Sequence, residues 1–270
     1  MSTITIATPV YLGKPHRVRY FDTFIKSCLS QTDFEKMNFV FLVEPDVLDH
    51  ESITRLRKYE NIKILINPFR YGLLLNQYMT LHYCFEILDL ENVIYTEDDC
   101  IMSNDMYDIT NFYINSKYYD NNTILTYLNK DNLIDPPQNE DGKEIIEIKP
   151  NFHPVHTKMV YFATWGYLCT KRMWHDCMKK WPHQWCFSEH LLPHYLETMK
   201  TVTPKLSRLN HIGVVGNSYT KEQYEEHAFT RYMPKSFTER LQYQFNEIRL
   251  FDCRVWFIWS HIRKFSKRIW

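Results

Sequence analysis

The feature that most constrains the fold is an alternation of short β-branched runs with longer stretches of helical spacing. The runs predict strands over residues 4–8, 39–43, 62–66, 93–96 and 124–128. The stretches between them predict helices over residues 20–30, 49–59 and 73–88. Strand–helix–strand units of this kind build a parallel sheet with helices on its faces. We therefore expect an α/β protein with a Rossmann-like, mostly parallel sheet flanked by helices.

Later segments extend this pattern. Residues 160–170 form a second apolar run, and residues 171–181 show helical spacing that Pro182 ends. Residues 129–151 are polar and contain Asp141-Gly142, a dipeptide typical of a hairpin turn. From residue 237 onward the chain is predicted to be helical and basic. We expect one compact domain over residues 1–236, followed by a C-terminal helical tail over residues 237–270.

Charge and cysteine usage exclude several classes of protein. Lys plus Arg and Asp plus Glu number 32 each, so the chain lacks the positive field of a nucleic-acid-binding protein. The seven cysteines are scattered without a CxxC pair, which indicates free thiols in a reducing compartment rather than disulfides or a zinc site. We recognise no signal peptide and no apolar run of about 18 residues, and we predict a cytoplasmic protein.

Three adjacent acids, Glu97, Asp98 and Asp99, directly follow the predicted strand over residues 93–96. In open parallel sheets, ligands bind outside the carboxyl ends of the strands. Adjacent carboxylates repel one another, and a divalent ion such as Mn²⁺ or Mg²⁺, which favours oxygen ligands, would offset that repulsion. The alternative is an acidic turn before a helix that starts near Asp105, where negative charge is also favourable.

Three further loops follow predicted strands at the same edge of the sheet. They are Thr8-Pro9-Val10-Tyr11, Glu44-Pro45-Asp46 and Asn67-Pro68-Phe69-Arg70. Together they would bring an aromatic ring, an acid able to accept from a base, and a guanidinium able to meet a diphosphate into one crevice. The sequence has neither GxGxxG nor GxxxxGK[ST], so phosphate charge would be met by a metal and side chains.

Three segments carry motifs in a recognisable order. They are RYGLLLNQYMTLHYCFEILDLENVIYTEDDCIMSNDMYDITNFY (70–113), YFATWGYLCTKRMWHDCMKKWPHQWCFSEHL (161–191) and TPKLSRLNHIGVVGNSYTKEQYEEHAF (203–229). The order EDD, W-G-Y, K-W-P and P-x-x-S-R resembles the metal-dependent GT-A glycosyltransferases, and among them the N-acetylglucosaminyltransferase I-like group. The resemblance implies a GT-A fold and inverting transfer of a sugar from a nucleoside diphosphate sugar, UDP-linked, to a hydroxyl of a glycan or lipid-linked acceptor. Mn²⁺ or Mg²⁺ would be the cofactor.

The resemblance also implies roles for individual residues. In the first half they are metal ligation by Asp99, ribose binding by Asp98, donor-sugar binding by Glu97, uracil recognition by Glu44 or Asp46, and nucleotide binding by Thr8, Pro9, Tyr11, Arg70 and Asn76. In the second half they are general-base catalysis by Glu189, metal ligation by His211, and closure over the donor by a loop that contains Gly213 and Gly216.

Simpler interpretations of these later residues stay open. Glu189 follows Ser188, a residue typical of helix starts, and is equally typical of a surface helical acid. A single histidine such as His211 is more often a hydrogen-bonding residue than a ligand. Three aromatic residues, Trp165, Tyr167 and Trp185, fit either a sugar-binding face or the core.

The end of the chain, RVWFIWSHIRKFSKRIW (254–270), has five Lys/Arg and no acid. Its apolar residues recur at helical spacing opposite the basic ones, which is typical of a helix on an anionic membrane surface. Packing on the catalytic domain is the competing interpretation. A metal-dependent phosphoesterase or nuclease, or a nucleotide-sugar-binding module without turnover, remain alternative functions.

Overall fold

A computed structural model of the chain describes residues 4–48, 50–116, 119, 123–127, 165–176, 178–180, 200–204, 208–213 and 245–249. The described strands, in chain order, are β1 (Ile4–Val10), β2 (Met37–Val43), β3 (Ile62–Ile66), β4 (Asn92–Thr96), β5 (Cys100–Met102), β6 (Thr123–Leu125), β7 (Gly166–Thr170), β8 (Lys200–Pro204), β9 (Leu209–His211) and β10 (Phe245–Arg249). Five of them form a central sheet in the order β3-β2-β1-β4-β7. The first four are mutually parallel, and β7 runs antiparallel to β4.

The described helices, in chain order, are α1 (Pro15–Leu29), α2 (His50–Leu56), α3 (Gly72–His82), α4 (Met106–Ile114) and α5 (Lys171–Asp176). Pro15 begins α1, where the fixed φ of proline suits the first helical position. Two smaller groups of strands lie beside the central sheet. They are β10-β8-β6 and the antiparallel pair β5-β9.

Helices cover both faces of the central sheet. On one face, Phe21 and Phe24 of α1 pack against Phe41 of β2, with ring centroids 5.9 Å apart in both pairs. On the opposite face, Phe85, just after α3, stacks on Trp174 of α5 at 5.7 Å. Parallel strands that are buried on both faces read as continuous apolar runs, which is why they were recognisable in the sequence.

The central sheet opens between β1 and β4. Pairing of β1 with β2 continues to Val10 and Val43, but pairing of β1 with β4 stops at Ala7 and Tyr95. The strand order also reverses here, since β2 and β3 lie on one side of β1 and β4 lies on the other. A crevice at such a reversal is where open α/β sheets bind ligands.

The predicted α/β class and its parallel strands are confirmed, with two corrections near the site. β1 continues to Val10 because its pairing with β2 continues, so Thr8 and Pro9 lie inside a buried strand rather than in a loop after it. The helix predicted over residues 73–88 ends at His82, and a π-helical turn follows over Tyr83–Ile87.

The later predictions were less accurate. Within the helix predicted over residues 171–181, the structure describes an α-helix over Lys171–Asp176 and a 3-10 turn over Met178–Lys180. Residues 245–249 form β10 rather than helix, because β8 supplies strand partners that helical spacing in the sequence does not reveal. The predicted turn at Asp141-Gly142 and the tail segment 254–270 lie outside the described residues.

A buried ion pair fixes the segment that leads into β9. Arg208 and Asp105 are each 1% exposed, and Arg208 Nε lies 3.1 Å from Asp105 Oδ2. Ser103 N–H also donates to the carbonyl oxygen of Arg208 at 2.9 Å. These contacts hold β9 against β5, and therefore position His211 opposite Cys100.

We expect Asp105→Asn to lower the free energy of unfolding by about 3–5 kcal/mol, because it leaves the buried guanidinium of Arg208 without this countercharge. Urea unfolding followed by circular dichroism measures the change. Asp176→Asn is the matched control, since its pair with Arg172 has the same 3.1 Å separation but is solvent-exposed. Its expected cost is within about 0.5 kcal/mol. Equal losses in the two variants would contradict the importance of burial.

Candidate metal and nucleotide-sugar site

The acid cluster, defined as Glu97, Asp98 and Asp99, connects β4 to β5 at the crevice. Asp98 and Asp99 are 2% and 5% exposed, so these acids do not form a solvated surface turn. The helix α4 begins at Met106, and no side-chain hydrogen bond from Asp105 caps it. The structure therefore does not support the alternative that the acid cluster is an acidic turn that caps α4.

Pairing of β5 with β9 brings His211 to the acid cluster. His211 Nε2 lies 3.3 Å from Asp99 Oδ1, and Ile212 N–H donates to the carbonyl oxygen of Asp99 at 2.8 Å. The ring of Trp165 stacks on the His211 imidazole, with centroids 4.8 Å apart. Asp99 and His211 are far apart in the sequence, and the structure places them in direct contact.

Glu97, Asp99 and His211 form a group that can ligate a metal, which we call the metal group. One ligand atom from each residue lies within 4.8 Å of those from the other two. Two carboxylates and an imidazole suit Mn²⁺, which accepts both oxygen and nitrogen ligands. The predicted ligands Asp99 and His211 are thus brought together, and Glu97, predicted to contact the donor sugar, joins them.

The backbone at Gly213 lies directly against the metal group. A Cβ added at residue 213 would clash with Asp99 Oδ2 and lie 2.8 Å from His211 Cε1. The absence of a side chain therefore lets the backbone pass directly against both side chains. This close approach fits a site that holds an ion between the acid cluster and β9.

Arg17 is a site residue that the sequence interpretation missed. Its Nη1 lies 2.6 Å from Asp99 Oδ2, and its Nη2 contacts Asp98 Oδ1. The other oxygen of Asp98 accepts from Tyr11 N–H at 2.9 Å. A basic run in the first turn of α1, where the helix dipole disfavours positive charge, was the available signal.

The two buried aspartates have different protonation properties. Burial raises the pKa of Asp98 to about 7, with Arg17 opposing the shift and Asp99 reinforcing it. Burial alone would also raise the pKa of Asp99, but His211 and Arg17 together hold that pKa below its usual range. Asp99 is therefore ionised at neutral pH, as a metal ligand must be.

The remaining predicted nucleotide residues divide into two groups. Glu44 is buried, and its two oxygens accept from Tyr71 N–H at 2.9 Å and from Gly72 N–H at 2.7 Å. These contacts satisfy free amides at the start of α3, where Gly72 has a φ of 76° that favours glycine. Asn76 is also buried and accepts from Asn67 Nδ2 at 3.0 Å. Both residues thus stabilise α3.

Tyr11 and Arg70 lie beside the acid cluster, since Tyr11 N–H donates to Asp98. The guanidinium of Arg70 lies 5.0 Å from the centroid of the Tyr11 ring. Asp46 Oδ2 lies 3.8 Å from Arg70 Nη1, and both side chains are more than half exposed. A nucleotide approaching this edge of the sheet would therefore meet an aromatic ring, a guanidinium and an acid.

Other predicted residues are either in the core or not described. Tyr167 is fully buried and packs on Tyr95, with ring centroids 5.2 Å apart, so it belongs to the core. Glu189, Trp185 and Gly216 lie outside the described residues.

Comparisons with solved structures place this geometry in a known fold. S. aureus TarS 1–349 superposes with a TM-score of 0.53 at 12% identity, over 84% of this chain and 63% of TarS 1–349. GalNAc-T7, solved with UDP, GalNAc and Mn²⁺, superposes with a TM-score of 0.53 at 13% identity, over 84% of this chain and 48% of GalNAc-T7. Both are glycosyltransferases of the GT-A type. The chain has a GT-A fold.

TarS 1–349 in complex with UDP superposes with a TM-score of 0.50 at 13% identity, over 73% of this chain and 56% of that one. The chain thus spans less than two thirds of the length of these neighbours. No protein-family profile matches the sequence, and no curated protein matches it. Within the described residues, no helix is long and apolar enough to cross a membrane.

We expect Gly213→Ala to weaken Mn²⁺ binding at least about tenfold, because the new methyl group displaces Asp99 and His211 from each other. Binding is measured by the loss of the free Mn²⁺ signal in electron paramagnetic resonance. Ile212→Ala is the control, since it keeps the backbone hydrogen bond to Asp99 and adds no atoms near the metal group. Unchanged Mn²⁺ affinity in Gly213→Ala would contradict the placement of the ion.

Proposed function

We propose that this protein is a metal-dependent, inverting glycosyltransferase that uses a nucleoside diphosphate sugar, UDP-linked. The observation that carries the proposal is the metal group of Glu97, Asp99 and His211 at the opening of a GT-A sheet. The structural neighbour GalNAc-T7 was solved with UDP and Mn²⁺, and TarS 1–349 with UDP, which supports a uridine nucleotide.

In this proposal the metal group holds Mn²⁺ or Mg²⁺. When bound, the ion would supply positive charge that stabilises the departing nucleoside diphosphate. Asp99 is suited to the role because His211 and Arg17 keep it ionised. Tyr11 and Arg70 border the crevice where the nucleotide would lie, and Asp98 is proposed to bind the ribose.

The acceptor side of the proposal rests on the sequence. Glu189 is proposed as the general base that takes a proton from the acceptor hydroxyl, as an inverting reaction requires. Gly216, with Gly213, is proposed to belong to a loop that closes over the donor. The acceptor is a glycan or a lipid-linked sugar, and the transferred group is a hexose or an N-acetylhexosamine.

The closer resemblance to the N-acetylglucosaminyltransferase I-like group also remains a proposal. It is supported by the order of sequence motifs, and the solved neighbours do not distinguish it from other GT-A groups. The same applies to a catalytic domain over residues 1–236, a cytoplasmic location and attachment of residues 254–270 to an anionic membrane. Loss of liposome binding on deletion of residues 254–270 would support that attachment.

We expect UDP with Mn²⁺ to raise the unfolding temperature by about 5 °C at a hundredfold excess over Kd, because a ligand of the folded state stabilises it by mass action. Asp99→Asn should abolish the Mn²⁺-dependent part of this shift, since it removes a ligand charge. Thermal unfolding with UDP, and with a panel of UDP sugars, measures it. Asp22→Asn, an exposed change on α1, is the matched control. Absence of any Mn²⁺-dependent shift in the unmodified protein would count against the whole proposal.

We expect Glu189→Gln to lower turnover at least about a hundredfold, because the acceptor proton loses its base, while UDP and Mn²⁺ still bind. Release of UDP in the presence of acceptor measures turnover, and calorimetry measures binding. Glu51→Gln, at an exposed residue of α2, is the matched control. Normal turnover by Glu189→Gln would mean that another residue is the base. Absence of turnover in the unmodified protein as well as in the variants would favour a binding module.

A further inference from the structure

Arg17 links α1 to both buried aspartates of the acid cluster. One guanidinium nitrogen lies 2.6 Å from Asp99 Oδ2, and another contacts Asp98 Oδ1. The side chain is only 17% exposed, so these ion pairs are largely shielded from water. Asp99 also belongs to the metal group, so the same carboxylate would have to serve two different cations if a metal ion bound there.

The position of Arg17 is unfavourable for α1 itself. The first turn of α1 contains no acid, and Lys14 and Arg19 add further positive charge nearby. A cation at a helix N-terminus is disfavoured by the helix dipole. The aspartates offset this cost, which ties the conformation of Arg17 to the charge state of the site rather than to the helix.

Arg17 also has a donor that its protein partners do not use. Its Nε is buried and has no hydrogen-bond acceptor within the part of the chain that the structure describes. Buried polar groups are nearly always hydrogen-bonded, so such an atom requires an explanation. A guanidinium presents its donors as a planar fork that matches the oxygens of a phosphate.

We infer that Arg17 is the resident counterion of the acid cluster: it holds Asp99 until a divalent ion binds, and then turns its guanidinium to the diphosphate of the donor. The inference rests on the proposed function, because it requires a metal and a nucleotide diphosphate at this site. Two cations that share one carboxylate repel each other, so Mn²⁺ at Asp99 weakens the hold of Arg17. In this role Arg17 contacts the donor diphosphate directly and takes no part in proton transfer.

This exchange makes the metal and the nucleotide bind cooperatively. Mn²⁺ alone must compete with Arg17 for Asp99, whereas UDP offers the guanidinium another partner. Because coupling between two ligands is reciprocal, each must strengthen the binding of the other by the same factor. If Arg17 had only a structural role, the expected pattern would differ. Its loss would then loosen the site and weaken the binding of both Mn²⁺ and UDP.

The test is a titration of the full chain with Mn²⁺, followed by the electron paramagnetic resonance of free Mn²⁺, with and without saturating UDP. In Arg17→Gln we expect Mn²⁺ alone to bind at least about tenfold tighter, because the competing cation is gone. The factor by which UDP strengthens Mn²⁺ binding should fall at least about tenfold. Arg17→Lys keeps the positive charge but not the planar fork of donors. Its Mn²⁺ affinity, and the factor by which UDP strengthens it, should lie between those of Arg17→Gln and the unmodified protein.

Arg19→Gln is the matched control, since Arg19 lies on the same helix and is exposed, and it should behave as the unmodified protein. If Arg17→Gln fails to fold cooperatively, Arg17→Lys carries the same comparison. Mn²⁺ affinity that is unchanged or weaker in a folded Arg17 variant, while the unmodified protein binds Mn²⁺, would overturn the role of Arg17 alone. If the unmodified protein binds no Mn²⁺ with or without UDP, the proposed function fails and this inference fails with it.

Discussion

The structure around the crevice depends on how three adjacent carboxylates are kept together at the tip of β4. Two unit charges 4 Å apart interact by about 4 kcal/mol at the intermediate dielectric of a partly buried site, so the acid cluster is costly unless cations offset it. Arg17 reaches it from α1 and His211 from β9. These two residues are far apart in the sequence, and their contacts position α1 and β9 relative to the acids.

The sheet was largely predictable from the sequence because its inner strands are buried on both faces. Such strands appear as short apolar runs, and the predicted runs at residues 39–43 and 93–96 lie within the buried strands β2 and β4. The extension of β1 over Thr8 and Pro9 was not predictable, since it depends on continued pairing with β2. β5 and β9 were missed for the same reason, because each is short and is defined by its partner.

The candidate site was predictable where charge was locally unusual. The acid cluster could be recognised because like charges rarely follow a buried strand, and His211 and Gly213 because a resemblance directed attention to them. Arg17 was missed because its role depends on where α1 points, which the sequence does not state. Glu44 shows what the sequence leaves out: an acid at a strand end looks available to a ligand, and the structure adds that its oxygens accept from the first amides of α3.

The pairing of β5 with β9 has a consequence for the order in which the site forms. During synthesis α1 and β4 emerge from the ribosome well before β9, and N-terminal segments can begin to fold first. In that interval the aspartates lack their imidazole partner, while Arg17 has already been made. In the nascent chain, Arg17 could therefore offset the repulsion between the acids before His211 has been synthesised. It could also limit the binding of other cations to the acids during that time.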